Sequence, residues 1–478
     1  MLKLLISVIL TGILYSIFFS GSLPKSLLGY VSGNQLLSYN PVCDSMYFCR
    51  SLGYPFLQNI FLFFQADESI FIFSQVLLFS FSCIFLASEF YKVTNQKILS
   101  YLLFFSIYLN PKTFKYGFTI SEESVFIPLI AIVSALIIKF SRTRDITTLL
   151  TLSFAIGISI TVRSAGYAML PLLFIILVIY WRQFGNARVK AVLFSFLPAI
   201  LLITGESYLY YANNTHDRET TQGVVLLGKV PLIAVNKPKD SQYPNLSNIA
   251  YQRGELVRNT IDSIDNFSLQ QYLRNVFNPV YNDLKGLYQP MSKQITHYKK
   301  QFGSRDKVTS GLFKEYAKEN PLTTLKIIAL NYVGLWQLSE ILTSEQSTEL
   351  SQWLREQPII DSYHKDRVLY HFDVIKNHIF FAKTAKVFFL ILLLATYYLF
   401  IEGSLKLLKN YKDQVKINAL YFNVFIFPVM LNGYFILLAI MINVQMRFIL
   451  TYWSVLMVIL FFTLHILFCI IRRTNIKI

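Results

Sequence analysis

Asp44 is the one acid in the stretch Asn40-Pro-Val-Cys-Asp-Ser-Met-Tyr-Phe-Cys-Arg-Ser-Leu-Gly-Tyr-Pro55, where it stands among aromatic and small residues. A carboxylate beside an apolar interface keeps its proton to higher pH than in water, which suits a general base. A helix cap over Met46 onward fits the same aspartate. Glu122 and Glu123 open an apolar run. They fit either a second site carboxylate, with Glu122 the candidate, or acids placed to meet a helix dipole. Asp67 and Glu68 also open a run and read as capping residues. Arg163 separates two nearly contiguous apolar runs, and Arg447 lies between the last two. A cation so placed is costly unless it faces a cavity, a headgroup or an acid. A guanidinium grips phosphate through a two-pronged fork; snorkelling to the headgroups is the other reading. Lys112 and Lys115 fit the same phosphate, and Glu206 fits as a partner for one of these cations.

The elements that must position these residues are membrane helices. The chain has 478 residues, 54% hydrophobic and only 15% charged, where a soluble domain carries about 25% charged residues. Its mean hydropathy is positive, and 42 Phe and 30 Tyr point to a polytopic membrane protein. Apolar runs fall at 2–20, 69–89, 98–110, 122–140, 147–162, 165–181, 191–211, 379–401, 417–441 and 448–471. That predicts about ten transmembrane helices and an all-α fold, because a segment in hydrocarbon must satisfy its own backbone. The first run, with Lys3 before it and no small-residue cleavage site after it, reads as a retained helix rather than a signal peptide.

Alternate loops are basic: Lys3; Lys92 and Lys97; Lys139, Arg142 and Arg144; Arg182, Arg188 and Lys190; Lys406, Lys409, Lys412 and Lys416; Arg472, Arg473 and Lys477. The positive-inside rule then places both termini in the cytoplasm. Asp44, Lys112, Lys115, Glu122, Arg163 and Arg447 all fall on the outer side. The net charge of +17 is therefore mostly a topology signal, and nucleic acid is not an expected partner. Three parts follow: an N-terminal transmembrane module 1–211 with an outer loop 21–68, an extracytoplasmic segment 212–378, and C-terminal transmembrane helices 379–478. Within the outer segment, helical spacing runs from about 248 to 288. A further helix over 320–336, with a proline near its start, is expected to pack on the outer membrane face or to re-enter the membrane. The Phe-, Ile- and Lys-rich composition and the short length lean towards a bacterial inner membrane.

Other signals are weak. The four cysteines make no disulfide framework; Cys43 and Cys49 share a loop, and their pairing stays open. His216, His297, His364, His371 and His378 lack metal-site spacing. There is no phosphate loop of the ATPase type. Asn213, Asn245 and Asn266 open glycosylation sequons, which matter only in a eukaryote.

Four stretches together resemble the GT-C superfamily of membrane glycosyltransferases, in particular the polyprenyl-phosphate-sugar-dependent branch with the protein O-mannosyltransferases and the lipid A aminoarabinose transferase. They are Asp44-Ser-Met-Tyr-Phe with Gly53-Tyr-Pro55 and Ala66-Asp-Glu-Ser69; Asn110-Pro-Lys-Thr-Phe-Lys-Tyr-Gly-Phe-Thr-Ile-Ser-Glu-Glu-Ser-Val-Phe126; Thr161-Val-Arg-Ser-Ala-Gly-Tyr-Ala-Met-Leu-Pro171; and Gln445-Met-Arg-Phe448. The resemblance covers about 1–210 well and 379–471 loosely. It implies a GT-C-like fold and transfer of a sugar, with inversion, from a polyprenyl-phosphate carrier to a lipid, glycan or protein acceptor. Asp44 then takes the acceptor's proton, and Arg163, Arg447, Lys112 and Lys115 hold the departing phosphate. No cofactor is certain. A divalent metal stays open, because Asp44 lacks the paired acid that some members use. A glycan polymerase or ligase also combines many helices with one long outer loop. A lipid or solute transporter would place its charges near mid-membrane and show inverted repeats.

Overall fold

The computed structural model describes residues 51–63, 68–110, 113, 116, 121–213, 222–262, 287–336, 379–412, 417–441 and 446–471. Asp44, Lys112, Lys115, the run 2–20 and the Cys43–Cys49 loop lie outside the described residues, as does the second half of the helical pattern expected over 248–288. What is described is 89% helical, with no strand.

The first group of helices is α1 (Gly53–Phe63), α2 (Glu68–Thr94), α3 (Lys97–Tyr108), α4 (Glu122–Thr143) and α5 (Ile146–Val162). A 3-10 turn (Ser164–Met169), α6 (Leu170–Tyr180) and α7 (Arg188–Asn213) complete it. Six helices among the described residues are long and apolar enough to cross a membrane: Ile70–Thr94, Glu122–Thr143, Gly185–Ala212, Leu390–Asn410, Ala419–Met441 and Trp453–Ile471. Three expected spans are shorter. At 12 residues, α3 is about 18 Å long, and α5 with 17 residues is about 26 Å, against a hydrocarbon core of about 30 Å. The run expected as one helix over 165–181 is divided. Its first five residues, with Ser164 before them, coil as a 3-10 turn, and the α-helix begins at Leu170, with a proline in its first turn where no backbone donor is needed.

Polar contacts mark the two ends of the bundle. At one end Glu89 of α2 pairs with Lys92 at 2.5 Å and with Arg142 of α4 at 3.2 Å. Arg144 ends α4 in the left-handed conformation, its amide bonded to the Phe140 carbonyl, a known helix stop. Its guanidinium donates to the Ile417 carbonyl at 2.6 Å. There Ser141 Oγ accepts from Asn423 Nδ2 at 2.9 Å, and Tyr180 packs edge-on to Phe422. So α2, α4 and α6 finish where α15 (Ala419–Met441) begins. Of the candidate site residues, Glu122 and Arg163 lie at the opposite end, where α4 begins and α5 finishes.

The centre of the bundle is α4, with 89% of its apolar window buried. It is enclosed by α2, α5, α15 and α17 (Trp453–Ile471). Phe462 of α17 meets both Phe90 of α2 and Phe427 of α15. By contrast α7 and α14 (Ile379–Lys412) expose Leu201, Tyr208, Leu390 and Leu394, as lipid-facing helices do.

The segment between α7 and α14 builds a second core from α8 (Gln222–Leu227), α9 (Val230–Ile233), α10 (Pro244–Asp262), α11 (Gln289–Phe302), α12 (Arg305–Glu319) and α13 (Pro321–Trp336). Ser304 caps α12 by accepting from the Lys307 amide. Asn320 clasps both backbone groups of Asn236 at 2.8 and 2.9 Å. The expected helix over 320–336 is α13. It packs lengthwise against α15: Asn331 Nδ2 donates to the Ala439 carbonyl at 3.1 Å, Tyr332 bonds Asn432, and Trp336 lies 5.0 Å from Phe435. Its early residue Ile327 belongs to the second core, while Leu335 and Trp336 belong to the first.

Candidate functional site

The ion pair between Arg163 and Glu123 is the heart of the site. Arg163 Nη1 lies 2.9 Å from Glu123 Oε1, with the two side chains only 11% and 14% exposed. Both are placed by helix ends. Arg163 leaves α5 in an extended conformation while its amide still bonds the Ser159 carbonyl, so its side chain swings off the helix axis. Gly166 makes this reversal compact: a Cβ there would come within 2.8 Å of the Ser159 and Ile160 backbone. Ser121 takes an extended conformation before α4, and its carbonyl accepts from Ser124 Oγ at 2.6 Å. Glu123 thus sits in the first turn of α4, where the helix dipole favours its charge.

Other groups close around the pair. The Arg163 guanidinium stands 5.7 Å from the Phe126 ring centre, a cation–π distance. Glu122, Tyr116 and Tyr434 are close enough to act on it electrostatically. Tyr434 Oη hydrogen-bonds Thr451 Oγ1 at 2.8 Å, and its ring stacks 3.7 Å from Tyr452. Glu123 also borders a narrow crevice whose other walls are Phe79, Thr113, Tyr116, Ser124, Ile127 and Pro128. Tyr54 accepts from Gln75 Nε2 at 3.2 Å and feels both Glu122 and Glu123.

The chain arriving from the Asp44 loop is fixed beside this site. Gly53, the first residue of α1, lies so close to Thr161 that a Cβ would meet its carbonyl at 2.6 Å. The Leu52 amide donates to Glu206 Oε1 at 2.9 Å. Glu206, a candidate partner for an outer cation, thus receives a backbone amide of the incoming chain.

Of the candidate residues, Arg163 and Glu122 come together here. Arg447 belongs to the short helix α16 (Met446–Thr451), which precedes Tyr452; its side chain, like Asp44, Lys112 and Lys115, lies outside the described residues. The direct acid partner of Arg163 is Glu123; the sequence had offered Glu122 as the second site carboxylate and Glu206 as a partner for one of the cations. Because α4 is enclosed, both acids face protein, and no exposed face singles out one of them. Among the described residues no three His, Cys, Asp or Glu side chains gather as metal ligands do.

A second buried cation lies where the segment between α7 and α14 meets the bundle. Lys229, only 1% exposed, donates to the Ala439 and Ile440 carbonyls at 2.5 and 2.6 Å. These are end carbonyls of α15, which carry the negative end of its dipole. Burial pushes the Lys229 ammonium down to about 7, while the two carbonyls hold its protons. Nothing in the sequence signals this, since lysine is almost never fully buried.

The arrangement can hold an anion by its chemistry. A guanidinium paired with one carboxylate, with two tyrosines and a second carboxylate nearby, has the fork geometry that phosphate takes once Glu123 yields. No family model, no curated protein and no solved structure matches this chain.

Proposed function

We propose that this chain is a membrane glycosyltransferase of the GT-C kind, moving a sugar with inversion from a polyprenyl-phosphate carrier to an acceptor on the outer face of a bacterial inner membrane. Asp44 is the general base that takes the acceptor hydroxyl's proton as it attacks the anomeric carbon. Arg163 receives the carrier phosphate as the glycosidic bond breaks, with Arg447, Lys112 and Lys115 as further phosphate-holding cations and Glu122 as a second site carboxylate.

The observation that carries this reading is the buried Arg163–Glu123 pair at the end of α5. Along the axis of α5, Arg163 lies about 26 Å from the helix's other end; a helix standing near the membrane normal would bring it within a few ångströms of the far side of a hydrocarbon core of about 30 Å. A lipid-borne phosphate reaches that depth; a solute held at mid-membrane does not need it. The fixing of Leu52 and Gly53 against Glu206 and Thr161 supports a loop that works beside Arg163.

The test is transfer in nanodiscs, offering a panel of polyprenyl-phosphate sugars to wild type and Asp44→Asn. Turnover by wild type alone is expected. Equal turnover by both removes Asp44 as the base. Turnover only on a lipid-linked oligosaccharide, unaffected by Asp44→Asn, means a polymerase or ligase.

A further inference from the structure

The outer segment does more than sit above the bundle. We infer that α13 dips into the leaflet at the Arg163 end, with its free face bathed in phospholipid acyl chains. Depth along α15 is the first argument. From Ala419, Asn432 lies about 20 Å and Ala439 about 30 Å up the helix. The end at Ala419 is fixed beside the Arg144–Ile417 contact and the basic loops. A hydrocarbon core of about 30 Å therefore ends near Ala439. As α13 proceeds, its partners on α15 lie deeper: Asn331 meets Ala439, and Trp336 meets Phe435. Tyr332 reaches Asn432, and its hydroxyl also lies 2.9 Å from that of Tyr397 on α14. The last turns of α13 thus stand roughly 5–10 Å below the hydrocarbon surface by the same rise per residue.

The free face is the second argument. Leu322, Leu325, Ala329 and Val333 follow one another at helical spacing and are all exposed; Leu322 is 81% and Leu325 62% exposed. In water a stripe of this kind would be an aggregation hazard. It continues instead into the exposed Leu390, Ile391 and Leu394 of α14, next to which Tyr332 and Tyr397 join. Lys326, exposed beside Leu325, sits near headgroup level, where a lysine ammonium is favoured. At the deep end the Tyr332 hydroxyl has two partners and Asn331 Nδ2 donates to the Ala439 carbonyl, while the buried Trp336 Nε1 has no hydrogen-bond partner among the described residues. Pairing of this kind lowers the cost of a non-spanning helix at membrane depth.

The experiment uses the unmodified full chain in phosphatidylcholine–phosphatidylglycerol vesicles containing a phospholipid with a photoreactive diazirine midway along its acyl chain. After irradiation, adducts are mapped by mass spectrometry. Adducts on Ala329–Val333 should match those on Leu390–Leu394 of α14 and exceed those on the face of α12 around Lys314 by at least about tenfold, as hydrocarbon contact without water requires. Labelling of α14 with α13 at the α12 level overturns the inference. So does labelling of Ala329–Val333 by a water-soluble diazirine, or a cross-link from that stripe to a second copy of the chain.

Discussion

Replacing Glu123 by glutamine keeps its shape and removes its charge, leaving the Arg163 guanidinium in a nearly dry place. Breaking a buried ion pair by deleting one partner costs about 3–5 kcal/mol, because the remaining charge stays desolvated. The 11% and 14% exposure of the two side chains lets some water or headgroup in, so the lower end, about 3 kcal/mol, applies. Arg163→Met should cost a similar amount, since it strands the Glu123 carboxylate and gives up the Phe126 contact. The double variant removes both desolvation penalties and should lose far less than the sum, with a coupling of about 2 kcal/mol or more. Equilibrium unfolding by SDS in mixed micelles, followed by tryptophan fluorescence, measures all four proteins; Trp336 and Trp453, both in ring contacts inside the bundle, report its opening. Losses that add to within about 0.5 kcal/mol would show two independent residues, and the site as drawn would fail.

Further outcomes follow from other residues. Asp44→Asn should abolish sugar transfer while expression and melting stay as in wild type; transfer assays beside thermal melts decide this. Arg163→Ala should raise the donor KM more than it lowers kcat, with Arg163→Lys in between, because an ammonium keeps charge but loses the fork; an unchanged donor KM leaves Arg163 as a structural anchor. Lys229 has its folded pKa lowered from the ordinary 10.5 to about 7. Between those values the unfolded chain binds the extra proton, so wild-type stability should rise with pH across that window. Lys229→Met should lose that rise, and equal slopes in pH-dependent unfolding would refute it. Gly53→Ala pushes a methyl into the Thr161 carbonyl and should cost about 1–3 kcal/mol; a wild-type melting temperature would contradict the close approach.

The helices were legible because long apolar runs have few other fates. Arg163 was legible for a related reason: a cation between two such runs needs a cavity, a headgroup or an acid. The sequence preferred Glu122 as the second site acid and did not identify Glu123 as the partner of Arg163, since two adjacent acids in one helical turn do not by themselves give the register. It could not foresee the Gly53–Thr161 approach either, because the two lie on separate helices and glycine has many uses. The expected span over 165–181 is divided for a local reason. Uniform hydrophobicity does not distinguish 3-10 from α, and the fold spends five of those residues turning the chain beside Arg163. The burial of Lys229 ran against its residue type; the carbonyls ending α15, which accept from its ammonium, explain it. The candidates Asp44, Lys112 and Lys115 rest on sequence alone.

The enclosure of α4 also sets a schedule. A helix with no lipid face in the finished protein needs all of its neighbours, and two of them, α15 and α17, are translated last. About 280 residues separate the end of α4 from the start of α15, roughly 15–60 s of synthesis at ~5–20 residues per second. During that interval α4 waits with part of its surface in lipid. Its serines are prepared for this: Ser134 and Ser141 each donate to a carbonyl of their own helix, at 2.8 Å in both cases, so neither hydroxyl depends on a neighbour yet to be made. Asn423 of α15 then reaches the waiting Ser141 oxygen, a contact that forms only when the second half of the protein arrives. The middle of this membrane protein is thus made early and completed late.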